Sequence, residues 1–228
     1  MKLSWQQIPS TIVTQLLCKD MDGVVLDLEH GCFDNETIYS CIQVAQADGK
    51  KCLARLTEIT KTQISFLLDA GLDGLIFSTV ESVEQCEKIF DNCLYPPNGK
   101  RGLGLTRQNL WGYKELIPDK KPILVCQIET SKAVDRIAEI SSFDFDYYLI
   151  GPYDLSMSLG CPGDFTSDKF LLKINQFSDR IPERKRAVHI PSNVEENIKT
   201  YKDYGLKCLG MDTIAILEAH KEFANVEY

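Results

Sequence analysis

Short β-rich runs recur along this chain at residues 3–7, 23–30, 51–56, 74–79, 123–129, 146–152, 186–190 and 208–212. Each is followed by a segment with helical spacing of its apolar positions: 11–19, 36–47, 61–70, 80–90, 132–140, 167–177, 193–204 and 213–224. The strand runs are near-continuously apolar, as in a sheet covered on both faces, while the helical ones repeat every three to four residues. Strict alternation of this kind describes a closed (β/α)8 barrel, the TIM barrel, better than an open sheet. An open doubly wound α/β sheet is the alternative. Two helix starts carry cap signals, Thr60 with Gln63 and Ser192 with Glu195.

At 228 residues the chain is long enough for one large core, and no linker, short-period repeat or low-complexity tract divides it. We therefore expect one domain over residues 1–228. The one long connection, from about residue 91 to 122, is the kind of loop that is usually functional. A net charge of −8 and the lack of a clustered basic face argue against nucleic acid as a partner. No stretch approaches the roughly 20 apolar residues of a membrane span, and MKLSWQQIPS lacks a signal-peptide core, so a cytoplasmic protein is expected. The nine cysteines are odd in number and never spaced as CxxC, which reads as reduced core thiols.

In a barrel of this kind chemistry gathers at the carboxyl ends of the strands. The second run ends LDLEHG, bringing Asp27, Glu29 and His30; the third brings Arg55, the fifth Glu129, and the sixth runs into Asp154. Singly, each has a structural alternative: Asp154 and Asp212 as helix caps, Arg55 as an ion-pair partner, His30 as a satisfied core residue. Jointly they place several carboxylates on one rim, and a divalent cation offsets their repulsion. Two carboxylates from separate strands, Glu129 and Asp154, form a hard oxygen site suited to Mg2+ or Mn2+. Lys51, Lys121, Lys185 and Lys207 all fall at or before strand starts, which argues against imine chemistry. Asp69 lies in the last turn of a helix, where the macrodipole disfavours an acid. A partner such as His30 would explain it, and so would simple exposure.

LDLEHG, LARL, LLDAGLDGLI, YPPNGKRGLG, QIET and GPYDLSMSLG, in this order, resemble the HpcH/HpaI family of metal-dependent (class II) pyruvate aldolases. The resemblance runs from SWQQIPS to GMDTIAILEAH. It implies a lyase that reversibly cleaves a 4-hydroxy-2-oxo acid to pyruvate and an aldehyde through a metal-stabilised enolate. It further implies that Glu129 and Asp154 hold Mg2+, Mn2+ or Co2+, and that the 2-oxo acid chelates this metal. By the same resemblance Arg55 faces the keto oxygen, and His30 is the acid/base residue supported by Asp69, within the chain or across a subunit contact. Gln127 hydrogen-bonds in the site. The family further implies a homo-oligomer, a hexamer or smaller, with an exchanged carboxy-terminal helix.

Tyr153 departs from the family, standing where relatives have a small residue, and is expected in the substrate-binding set, where it either narrows the pyruvate pocket or adds a hydroxyl to it. Ser78 and Thr79 replace a Pro-Met pair, and the amino-terminal leader helix of many relatives is missing. The long loop is expected to carry Arg101, as a structural residue, and Arg107, either as a ligand for a distal carboxylate or phosphate or as a solvated loop arginine, toward the pocket mouth. His189 and His220 are assigned to structure or surface. Two other readings remain: a CoA-ester or citrate-type lyase of the same superfamily, and a non-catalytic 2-oxo acid-binding barrel.

Overall fold

The computed structural model describes residues 1–113, 115–117 and 121–225. Its strands are β1 (Lys2–Gln6), β2 (Gly23–Asp27), β3 (Lys51–Leu56), β4 (Gly74–Phe77), β5 (Ile123–Ile128), β6 (Tyr147–Ile150), β7 (Arg186–Ile190) and β8 (Leu206–Leu209). They pair in parallel in chain order, and β1 pairs with β8, which closes the barrel. The helices α1 (Thr11–Leu17), α2 (Asn35–Ala47), α3 (Lys61–Asp69) and α4 (Val83–Cys93) link the first five strands. Short α5 (Ser131–Asp135) and α6 (Ile137–Ile140) follow β5, and α7 (Pro152–Ser158) and α8 (Asp168–Arg180) follow β6. After β7 and β8 come α9 (Val194–Asn197) and α10 (Asp212–Ala224).

Local chemistry sets the helix starts. Asp34, Thr60, Ser82 and Thr130 each accept a hydrogen bond from the backbone N–H three residues on, satisfying an otherwise orphaned donor. The expected cap at Ser192 is not formed, because Asn193 in the left-handed region begins a helix of four residues. No helix among the described residues is long and apolar enough to cross a membrane. All nine cysteines are free; seven are buried, and burial pushes the Cys93 thiol up to about 12.

Two cores follow from the period of two along each strand. Val24, Leu26, Cys52, Ala54, Leu75 and Phe77 face outward and pack under the helices. Val25, Leu53, Ile76, Val125, Leu149 and Ala187 face inward and fill the barrel axis. Each fully buried Val, Leu, Ile or Phe among them contributes about 1.5–3 kcal/mol. The next inward positions, two residues further along, are Asp27, Arg55, Gln127 and His189. Polar groups thus form a layer directly above the apolar plug.

Two boundaries differ from the sequence expectation in ways that matter for the site. The second strand stops at Asp27, because residues 28–31 turn back, with the Gly31 N–H donating to the Asp27 carbonyl at 3.0 Å. Asp154 does not extend a strand but sits in the first turn of α7, with Gly151 as cap and Pro152 at the first position, where its missing N–H costs nothing.

Candidate active site

Asp27 is fully buried and organises the rim. Its carboxylate accepts from Arg55 Nε at 2.9 Å and Nη2 at 2.7 Å, from Trp5 Nε1 at 3.1 Å and from Gln7 Nε2 at 3.1 Å. It also accepts from the backbone N–H groups of Glu29 and His30, which fixes the turn carrying both side chains. Burial alone would raise this carboxyl, but the Arg55 bonds and charge and the Gln7 and Trp5 donors outweigh it and hold it at about 2. Arg55 is a register partner of Asp27 across β2 and β3, so the pair is set by strand alignment. Its Nη1 also pairs with Glu29 at 2.9 Å. Three of the five guanidinium N–H groups are thereby committed, leaving one on each terminal nitrogen.

Glu129 follows β5 and is 4% exposed. One carboxylate oxygen accepts from both the N–H and the hydroxyl of Thr79, at 2.6 Å each; the other accepts from Gln127 Nε2. Thr79 adopts φ +52°, a conformation that costs a β-branched residue about 1–3 kcal/mol, and it is the turn after β4 that aims both donors at Glu129. With two bonds the Oε1 lone pairs are filled, so Oε2 keeps the free one. Burial raises the Glu129 carboxyl, and the negative charges of Glu29 and Asp154 add to this against the Thr79 bonds. Gly151 makes room for it: a Cβ there would lie 2.7 Å from Glu129 Cβ and 2.9 Å from Oε2.

A cavity of about 350 Å3 opens on this rim. His30, Arg55, Gln127, Tyr153 and Asp154 all line it, with Trp5 and Gln7 from the β1 end, His189 from β7 and Met211 after β8. Glu129 lies just beneath the wall rather than in it, behind Gly151. The His30 side chain is exposed at the edge. Tyr153 is 62% exposed and turns its ring onto Phe165 at 5.1 Å, so it flanks the mouth without filling the pocket. No lysine lines the cavity.

Three expectations are corrected. Arg107 does not approach the mouth: its Nη1 donates to Gln46 Oε1 at 2.7 Å and to the Ala70 carbonyl at 2.9 Å, at the ends of α2 and α3. Arg107 follows α4 on the helix-to-strand side of the barrel, the amino rim opposite the cavity, and Arg101 lies there too, 3% exposed. Asp69 ends α3 on that same rim and accepts from Arg101 Nη2 at 2.7 Å, so within one chain it does not meet His30. His189, assigned to structure or surface, is in the cavity wall. The inward parity of Ala187 and the apolar β7 pattern are the signals that locate it.

Asp212 accepts from the N–H groups of Gln7, Ile8 and Thr213 and is a structural clamp on the end of β1.

The model of the HpcH/HpaI aldolase/citrate lyase family matches residues 8–193. A hydroxypyruvate/pyruvate aldolase of Roseovarius nubinhibens is 28% identical over 228 residues, spanning 96% of this chain and 88% of its own length. A 4-hydroxy-2-oxovalerate aldolase of Rhodococcus jostii is 29% identical over 200 residues, with 84% and 76% covered. The crystal structure of an HpcH/HpaI aldolase/citrate lyase family protein from Burkholderia cenocepacia superposes with a TM-score of 0.88 at 19% identity, over 98% of this chain and 93% of that one, and supports the fold. Barrel, motif order and the length matched agree: the chain belongs to the HpcH/HpaI aldolase/citrate lyase family, a family of enzymes.

Proposed function

We propose that this chain is a class II aldolase that reversibly splits a 4-hydroxy-2-oxo acid into pyruvate and an aldehyde. The observation that carries the reading is a cavity lined by Asp154 and a preorganised Arg55, with the buried Glu129 carboxylate just beneath its wall and no basic side chain among the described residues paired with either acid. The names of the relatives, hydroxypyruvate/pyruvate aldolase and 4-hydroxy-2-oxovalerate aldolase, point the same way.

The donor set fits a hard divalent cation, Mg2+ or Mn2+ with Co2+ as a third candidate. Glu129 Oε2 keeps a free lone pair, Gln127 Oε1 is a buried acceptor without a partner, and the raised Glu129 carboxyl is the condition a cation relieves. Among the described residues no group of three or more His, Cys, Asp or Glu could hold a metal. Two carboxylates would leave the remaining positions to water and to substrate oxygens, as Mg2+ prefers.

Such a cation supplies Lewis-acid stabilisation of the enolate charge left when the carbon–carbon bond breaks. Arg55, held on both sides by Asp27 and Glu29, directs its two free N–H groups at the keto oxygen and pays no reorganisation as charge grows there. His30 takes the proton of the 4-hydroxyl, directly or through a water, on the lone-pair nitrogen of its imidazole. Gln127 orients Glu129, and Tyr153 shields the mouth. Asp69 reaches a His30 only in a second copy of the chain, so its supporting role belongs to a homo-oligomer. Residues 1–228 act as one unit in this reading, in the cytoplasm.

Coupling pyruvate release to lactate dehydrogenase tests it. Cleavage of 4-hydroxy-2-oxo acids is expected with Mg2+, Mn2+ or Co2+ and none in EDTA. Full activity in chelator would remove the metal, and preferential cleavage of malyl-CoA would favour the CoA-ester lyase.

A further inference from the structure

The cavity holds one ionisable side chain that the reaction above does not use. His189 is the inward residue that follows Ala187 on β7, and its ring stacks on Trp5 with centroids 4.1 Å apart and planes 16° from parallel. Trp5 is itself fixed by its indole bond to Asp27, so the stack is rigid. His189 Nε2 lies 3.4 Å from the carbonyl oxygen of Gly210. A carbonyl only accepts, so Nε2 must carry the proton and Nδ1 must be the lone-pair nitrogen. Burial, with the nearby Arg55 cation adding to it, lowers the ring to about 4 and keeps it neutral.

Nδ1 has no partner among the described residues. The wall around this end of the cavity carries Pro191, Ser192, Met211 and Ile214, and Gln7 donates one amide N–H to Asp27 and accepts from Thr213; none of these groups is bonded to the ring. A ligand that sets a C–H group against this ring leaves a desolvated acceptor unpaired, whereas a hydroxyl satisfies it. Apart from the committed Arg55, no lysine or arginine lines the cavity, so a phosphorylated or carboxylated tail finds no counter-charge.

We propose that His189 is a specificity-determining residue whose Nδ1 accepts a hydrogen bond from a substrate hydroxyl, so that the aldehyde half is a neutral hydroxyaldehyde. The proposal rests on the aldolase reading and names its substrate class. Sites built to pair a substrate hydroxyl reject the isostere that lacks it more strongly than apolar pockets reject an added methyl.

Glycolaldehyde and propanal differ by a hydroxyl in place of a methyl and are the probes, each condensed with pyruvate. The wild type is expected to favour glycolaldehyde by about 10–30-fold in kcat/KM, mostly through KM. His189→Phe keeps a stacking ring but no acceptor; it is expected to lose that preference, with propanal and pyruvate methyl-proton exchange unchanged. His189→Asn, with a side-chain carbonyl, is expected to restore part of it. A wild type that does not discriminate the two aldehydes overturns the proposal, whatever the variants do. So does a His189→Phe enzyme that keeps the preference or loses both aldehydes equally, the mark of a structural role. If exchange is normal and only the ratio fails to move, His189 alone is misassigned; if the wild type shows no exchange at all, the aldolase reading fails and this proposal with it.

Discussion

Replacing Asp27 by Asn tests the electrostatic hub of the rim. The carboxylate is wholly buried, accepts four side-chain bonds from Arg55, Trp5 and Gln7, and is held at about 2 instead of the ordinary 3.8. That difference corresponds to about 2 kcal/mol of stability at neutral pH. Removing one partner of a buried ion pair costs about 3–5 kcal/mol, but Arg55 keeps Glu29 at 2.9 Å, so the lower end applies and about 3 kcal/mol is expected. For a chain of this size that is a Tm about 6–12 °C lower. The sign with pH follows from the direction of the shift. The Asp27 contribution is complete above the unfolded value near 4 and is lost as pH falls toward about 2, so wild type and Asp27→Asn should converge over that window. Urea melts at pH 7 and at steps down to pH 2 measure both. A variant within 1 kcal/mol of wild type at pH 7, or a gap that stays constant down to pH 2, would refute the assignment of Asp27 as an ionised, structurally paired group.

Other outcomes follow from the same geometry. His30→Ala is expected to abolish aldol cleavage while Mn2+ still binds by calorimetry; an active variant would reassign the base. Gly151→Ala introduces a Cβ that must displace Glu129, and since φ there is −101° the contact is the whole effect. Its Mn2+ affinity is expected to fall about 10–100-fold, and an affinity within twofold of wild type would mean that Glu129 is not a ligand. Arg107→Ala strands the Gln46 and Ala70 acceptors and should cost about 1–2 kcal/mol with the KM for pyruvate unchanged. A raised KM at wild-type stability would put Arg107 back at the mouth.

Much of this was legible in the chain, and the parts that were not have identifiable causes. The runs at 51–56 and 186–190 coincide with β3 and β7, because alternation and continuous apolarity both require a strand there. The run at 23–30 was too long: composition does not register that Asp27 caps its own turn through the Glu29 and His30 N–H groups. Glu129, Asp154, Arg55 and His30 could be gathered on one rim by topology alone. That topology also implies that Asp69 and Arg107, at or after helix ends, belong on the other rim, a consequence hidden by the pull of charge toward the site. Thr79 stands out in the sequence only as a departure from a Pro-Met pair; its hold on Glu129 depends on a left-handed backbone that the turn after β4 imposes. The run at 146–152 reaches past the end of β6 at Ile150, because Pro152 opens α7 and carries Asp154 in its first turn.

The central claim is that this rim enolises pyruvate with the help of a divalent cation. Loss of pyruvate methyl protons to D2O, followed by NMR with Mg2+ or Mn2+ and again after EDTA, tests it without any aldehyde. Exchange that needs the metal and disappears in Glu129→Gln is the expected result; exchange that is absent with metal, or undiminished in EDTA, would contradict the account.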